Sequence, residues 1–107
     1  MNMVVRISVG HFDPSRSNQV TNMLDESSKS LTPAIHKLSG LIYYYVGLDR
    51  EKGYMTNTSL WETHEDAMQM ATLPEMLALR SQFEALGIEF IPISNHEVLW
   101  TVEPKLR

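Results

Sequence analysis

The 107-residue sequence contains no cysteine. That excludes disulfides, thiolate metal sites, iron–sulfur clusters and a cysteine nucleophile, while leaving the compartment open. Basic residues are scarce as well: 9 Lys and Arg stand against 13 Asp and Glu, for a formal net charge of -4. No Lys/Arg run interrupts this balance, so neither nucleic acid nor an anionic membrane surface is an expected partner. No apolar run is long enough to span a bilayer. The opening stretch, Met1-Asn2-Met3-Val4-Val5-Arg6, lacks a basic region followed by an apolar one, so no signal peptide is expected and a cytoplasmic location is the default. Four histidines, His11, His36, His64 and His96, are scattered with no pair at metal-ligand spacing, and no metal is expected. There is no glycine-rich phosphate loop, no Ser-His-Asp arrangement and no carboxylate dyad. Glu62, Glu65 and Asp66 are better explained as charges that favour a helix N-terminus.

What is present is ordinary globular material, 43% hydrophobic and 21% charged. The length suits a single domain, residues 1–107 with a core of about 3–102. A domain of this size buries a modest core, and oligomerisation is a common way to hide more apolar surface.

Residues 4–9 are rich in β-branched side chains and read as a first strand, with Met3, Val5, Ile7 and Val9 on one face and Val4, Arg6 and Ser8 on the other. Asp13-Pro14-Ser15 offers a helix start, and Val20, Met23, Leu24 and Leu31 follow at helical spacing. Pro33 is expected to end or kink that helix, with one more turn over 34–38 before Gly40. Residues 41–48, with three consecutive tyrosines, read as a second strand covered on both faces. A polar hairpin loop ending at Gly53 leads to a third strand over 54–62, on which Met55, Asn57, Ser59 and Trp61 share a face. Thr63 with Asp66 resembles a capping box, and Pro74 suits the first turn of a further helix with Met76, Leu79, Phe83 and Leu86 as its stripe. Residues 88–93 and 97–102 read as a last strand, interrupted near Pro92. The order is β-α-β-β-α-β: an α+β, ferredoxin-like antiparallel sheet with both helices on one face. The other face is left as apolar surface, which a second copy would bury.

Several segments carry a family likeness. The turn Leu38-Ser39-Gly40-Leu41-Ile42-Tyr43-Tyr44, the hairpin ending at Gly53, and Ser59-Leu60-Trp61-Glu62-Thr63-His64-Glu65-Asp66-Ala67 together resemble the antibiotic biosynthesis monooxygenase (ABM) superfamily of dimeric α+β barrels. The resemblance covers roughly residues 3–102. It implies a homodimer with a cavity in each subunit that takes a small aromatic or apolar molecule, and a cofactor-independent monooxygenase as the leading activity. Asn57 and Trp61 match an Asn and a strand Trp of the polyketide oxygenases. The helical Tyr of those enzymes falls on Ala67, and the axial His of the haem-degrading members falls on Ala71. A non-catalytic small-molecule-binding or stress-associated protein of the same fold is the alternative, and a haem-degrading enzyme the third.

Under that resemblance Asn57, Trp61 and His11 are the candidate catalytic residues, and Tyr43, Tyr45, Arg80 and His96 the candidate substrate-binding ones. An Asn amide can hydrogen-bond a substrate oxyanion and an indole can stack on an aromatic ring, but Trp61 reads equally as core. Each histidine suits either a general base or a surface loop. Tyr43 and Tyr45 share a strand face and suit either a ligand or a half-buried sheet. Arg6 and Arg80 can hold a carboxylate or phenolate, or form surface ion pairs. Met55, Met68, Met70 and Met76 suit an adaptable pocket or a loosely specified core.

Overall fold

In the computed structural model residues 2–105 are described; Met1, Leu106 and Arg107, which the 1–107 domain boundary includes, lie outside the described residues. Alternation of burial sets the first strand, β1, Val4–His11: Val4, Arg6 and Gly10 point inward and are buried, while Val5, Ile7 and Val9 face out and stay partly accessible. β3, Tyr54–Trp61, lies antiparallel to β1 with Arg6 opposite Ser59 and Ser8 opposite Asn57, so its inward residues are Met55, Asn57, Ser59 and Trp61. β2, Leu41–Asp49, pairs with the other edge of β3. The last strand is split in two, β4 at Glu89–Phe90 and β5 at Ser94–Glu97, and both halves pair antiparallel with β1. The order β2-β3-β1-β4, with β5 also against β1, is the ferredoxin-like arrangement expected of this element order.

Three helices cover the inner face. α1 spans Ser17–His36 and follows a 3₁₀ turn, Pro14–Arg16, that is capped by the Asp13 carboxylate accepting from the Ser15 N–H at 3.0 Å. α2, His64–Met68, starts at Thr63, whose hydroxyl accepts from the Asp66 N–H at 3.0 Å. α3 is Pro74–Ala85. It closes on Gly87, at φ 89°, where the N–H groups of Gly87 and Ile88 donate to the carbonyls of Glu84 and Phe83 at 3.0 and 3.1 Å. This Schellman ending needs a left-handed residue, which is why glycine stands there. Val20, Leu31, Ile35, Leu79 and Phe83 from the helices meet Val4, Met55 and Trp61 from the sheet in one core. No helix among the described residues is long and apolar enough to cross a membrane.

Three expectations need correction. Pro33 does not end α1, which continues to His36. It falls in the last turn, where only one backbone bond is forfeited, and the buried Leu31 and Ile35 on either side anchor the helix to the core. β2 is not covered on both faces: Tyr43 and Tyr45 are each 57% exposed and stack on one another at 4.9 Å, because no helix or strand among the described residues crosses the outer face of the sheet. The final strand does not extend to Val102. It ends at Glu97, and the Val98 N–H makes the last contact, with the Met3 carbonyl at 2.9 Å. β1 starts at Val4, so the segment beyond has no neighbouring strand, and Leu99, Trp100 and Val102 are exposed.

Candidate functional site

A cavity of about 810 Å³ lies between the inner face of the sheet and the helices. The size suits a ligand of a few fused rings. Its walls are mainly apolar, with Leu24, Leu31 and Ile35 from α1, Met55 from β3, Met70 from the 3₁₀ turn Gln69–Ala71, and Met76, Leu79 and Phe83 from α3. Polar groups enter from the sheet: Arg6 and Ser8 on β1, Tyr44 on β2, and Asn57 and Ser59 on β3. Strand register explains this cluster. Arg6 and Ser8 face Ser59 and Asn57 across the β1–β3 ladder, and Tyr44 faces Ser59 across β2–β3. Inward residues on three adjacent strands thus form one patch.

Tyr44 is the most perturbed of these groups. Its hydroxyl is buried without a well-formed hydrogen bond to any described residue. Burial pushes its pKa up to about 12, and the Asn57 side chain nearby opposes part of that rise. The phenol therefore stays protonated at neutral pH and is a hydrogen-bond donor, not a base. Arg6 is 8% exposed, and its guanidinium donates to the Asn95 side-chain oxygen at 3.3 Å. Its pKa is held below the usual arginine value, first by burial and then by the positive charge of Arg80. Arg80 reaches the cavity from α3 and lies over the Phe90 ring, 4.5 Å from its centroid.

The candidate residues divide sharply. Asn57 and Arg80 line the cavity. Trp61 does not: it is 0% exposed, packed in the core, and its indole N–H donates to the Ser59 hydroxyl at 2.7 Å. That bond satisfies its only donor. Tyr43 and Tyr45 lie on the opposite face of the sheet. His11 packs there against Tyr54, with ring centroids 5.0 Å apart, and His96 is exposed and bonded to the Ser94 hydroxyl at 2.8 Å. These four have no access to the cavity of their own chain. Of the four histidines only His36, exposed at the end of α1, borders it. Three of the methionines, Met55, Met70 and Met76, also line it, whereas Met68 is exposed. Among the described residues no group of three His, Asp or Glu side chains is arranged to hold a metal ion.

Tyr44 and Ser8 escaped the sequence reading. Face parity alone separates Tyr44 from Tyr43 and Tyr45, and the pattern of large side chains on both faces did not say which parity points to the helices. Ala67, where the polyketide oxygenases have a Tyr, is 0% exposed and belongs to the core.

The architecture is a ferredoxin-like α+β domain, and solved structures share it over nearly its whole length. A Deinococcus radiodurans protein provisionally named an antibiotic biosynthesis monooxygenase aligns over 95% of this chain and 98% of its own, with a TM-score of 0.73 and 14% identity. SnoaB, a cofactor-independent oxygenase from Streptomyces nogalater, aligns over 97% and 100%, with a TM-score of 0.67 and 11% identity. NE2512, a Nitrosomonas europaea protein of unknown function, aligns over 98% and 97%, with a TM-score of 0.69 and 13% identity. No family model matches the sequence, and no curated protein matches it. The chain thus shares its fold with solved structures that include ones named as antibiotic biosynthesis monooxygenases.

Proposed function

We propose that the chain binds a small, largely apolar aromatic molecule in the inner cavity and oxygenates it without a cofactor. The observation that carries this reading is the polar patch at the sheet wall of an otherwise apolar cavity, with the Asn57 amide beside a buried Tyr44 hydroxyl that lacks a good partner. A buried hydroxyl without an acceptor is costly, and a substrate carbonyl or enolate oxygen in the cavity would satisfy it. In the reaction an activated ring CH₂ loses a proton, the resulting carbanion gives an electron to O₂, and the peroxide formed on recombination loses water. CH₂ and O₂ thus become C=O and H₂O. Asn57 and Tyr44 donate to the enolate oxygen as its charge develops. The proton leaves to water or to His36 at the rim. Trp61 takes no part and supports Ser59 from behind.

The test is oxygen uptake and quinone appearance with anthrone, corrected for its spontaneous oxidation. Uptake should depend on the protein and fall at least tenfold in Asn57→Ala and Tyr44→Phe. If both variants match the wild type, the oxygenase reading is wrong. Binding of anthrone without any uptake selects instead a non-catalytic binding protein of the same fold, a reading favoured by the sealing of Trp61 and Ala67 into the core.

The outer face of the sheet presents Val5, Ile7, Val9 and Leu60 beside the stacked, exposed Tyr43 and Tyr45. We propose that a second copy of the chain covers it, with the exposed Leu99, Trp100 and Val102 contributing. Light scattering should give twice the chain mass, and Tyr43→Lys with Tyr45→Glu should shift it to one. A monomeric wild type would contradict the proposal.

A further inference from the structure

Three arginines line the cavity, Arg6, Arg50 and Arg80, and none is paired with a carboxylate among the described residues; Arg50 is exposed and donates to the Asn18 side-chain oxygen, which leaves Arg6 and Arg80 as the inner pair. Arg6 enters from β1 and Arg80 from α3, close enough for Arg80 to depress the pKa of Arg6. The single ion pair among the described residues, Lys29 with Glu26 on the outside of α1, involves neither. Among the described residues the only acidic one in the wall is Asp25, which is exposed on α1 and forms no ion pair with them. Arg6 is 8% exposed and makes one hydrogen bond, to Asn95, leaving most of its five N–H donors without a protein acceptor. A guanidinium taken out of water is normally paired, because burial strips its hydration and a second like charge adds repulsion.

We infer that Arg6 and Arg80 form an anion subsite that holds a carboxylate carried by the ligand, so that the cavity selects aromatic or alicyclic acids over neutral ring compounds. The charge imbalance exists in the resting protein, so it calls for a permanent anion and not only for an enolate that appears during turnover. The planar fork of each guanidinium suits a carboxylate. The two side chains start from different elements, β1 and α3, and the charge of Arg80 acts on Arg6, so one carboxylate between them can accept from both. Phe90 holds the Arg80 fork from one face, and Asn95 orients Arg6. The apolar body of the acid then lies along Met55, Leu79 and Phe83. This deepens the proposed function and rests on its placement of the ligand in the inner cavity.

The test titrates the protein with naphthalene-2-carboxylate and, separately, with its neutral carboxamide, by calorimetry at low ionic strength. The acid should bind at least tenfold more tightly, and the advantage should shrink as salt is raised. Arg80→Gln should abolish most of the preference by weakening the acid far more than the amide, and Arg80→Lys should restore only part of it. Arg6→Gln should act in the same direction; since Arg6 is buried, Arg80→Gln decides if that variant does not fold. Equal affinity for acid and amide overturns the anion subsite and leaves the cavity reading standing. Failure of both probes and of anthrone to bind overturns both.

Discussion

Trp61 distinguishes a cavity wall from a core, and its hydrogen bond makes the distinction measurable. Ser59→Ala leaves the indole N–H buried without an acceptor, since Trp61 is 0% exposed and Ser59 2% exposed. An orphaned buried donor costs about 1–3 kcal/mol. Trp61→Phe loses the same bond and about one ring of core volume, for roughly 2–4 kcal/mol. At this chain length each kcal/mol lowers the melting temperature by about 4–8 °C, so Ser59→Ala should melt about 5–20 °C lower than the wild type. The two changes share one bond, so the double variant should be less destabilised than the sum by about 1 kcal/mol. Circular dichroism on heating and in urea gives these values, and titration with naphthalene-2-carboxylate gives the affinity of each variant. Affinity of the folded Trp61→Phe protein should stay within about threefold, because the indole does not line the cavity; tenfold is worth about 1.4 kcal/mol. A Trp61→Phe variant of unchanged stability that no longer binds the ligand would refute the reasoning.

Other residues give sharper signs. Ala67→Tyr, which restores the polyketide oxygenases' residue, should prevent stable folding and not create activity, because Ala67 has no accessible surface; a folded, more active variant on oxygen uptake would show that the site extends there. Gly53→Ala should destabilise by more than about 1 kcal/mol in urea unfolding, since the position has φ 77° and an added Cβ would collide with the Phe12 carbonyl oxygen. Wild-type stability in that variant would mean that the hairpin had rearranged. Tyr44 holds its proton more tightly folded than unfolded, so its contribution is intact below about pH 10 and is lost as the pH rises through about 12. Relative to wild type, Tyr44→Phe should therefore gain stability between pH 9 and 11.5 by about 2 kcal/mol; an offset independent of pH would show that the phenol ionises freely.

Much of the fold was legible because periodicity and punctuation agreed. Strand alternation placed Met55, Asn57, Ser59 and Trp61 on a single face, and Pro74 and Gly87 marked the ends of α3. The errors came where tertiary packing overrides a local signal. Leu31 and Ile35 carry α1 past Pro33, and the short β1 leaves residues after Val98 without a neighbour. The site was half legible. Asn57 and Trp61 were singled out together by their match to the polyketide oxygenases, yet the two lie about 13 Å apart along an extended strand, enough for one residue to line a cavity and the other to lie in packed core. Tyr43 and Tyr45 were separated from Tyr44 correctly by parity, but the parity of the inner face is fixed only by the helices that cover it. Arg6 was visible as a charge among β-branched residues; its want of a carboxylate partner is a fact of three dimensions.

The inner cavity as the ligand site is tested most directly by mapping where a bound acid perturbs the protein. Naphthalene-2-carboxylate should be titrated into isotope-labelled protein and the NMR shifts of backbone amides, methionine methyls and arginine side chains followed. The expected result is a saturable set of shifts at Arg6, Tyr44, Asn57, Arg80, Met55 and Met70. Shifts confined to Tyr43, Tyr45, His11 and His96 on the outer face, or none at all, would contradict it.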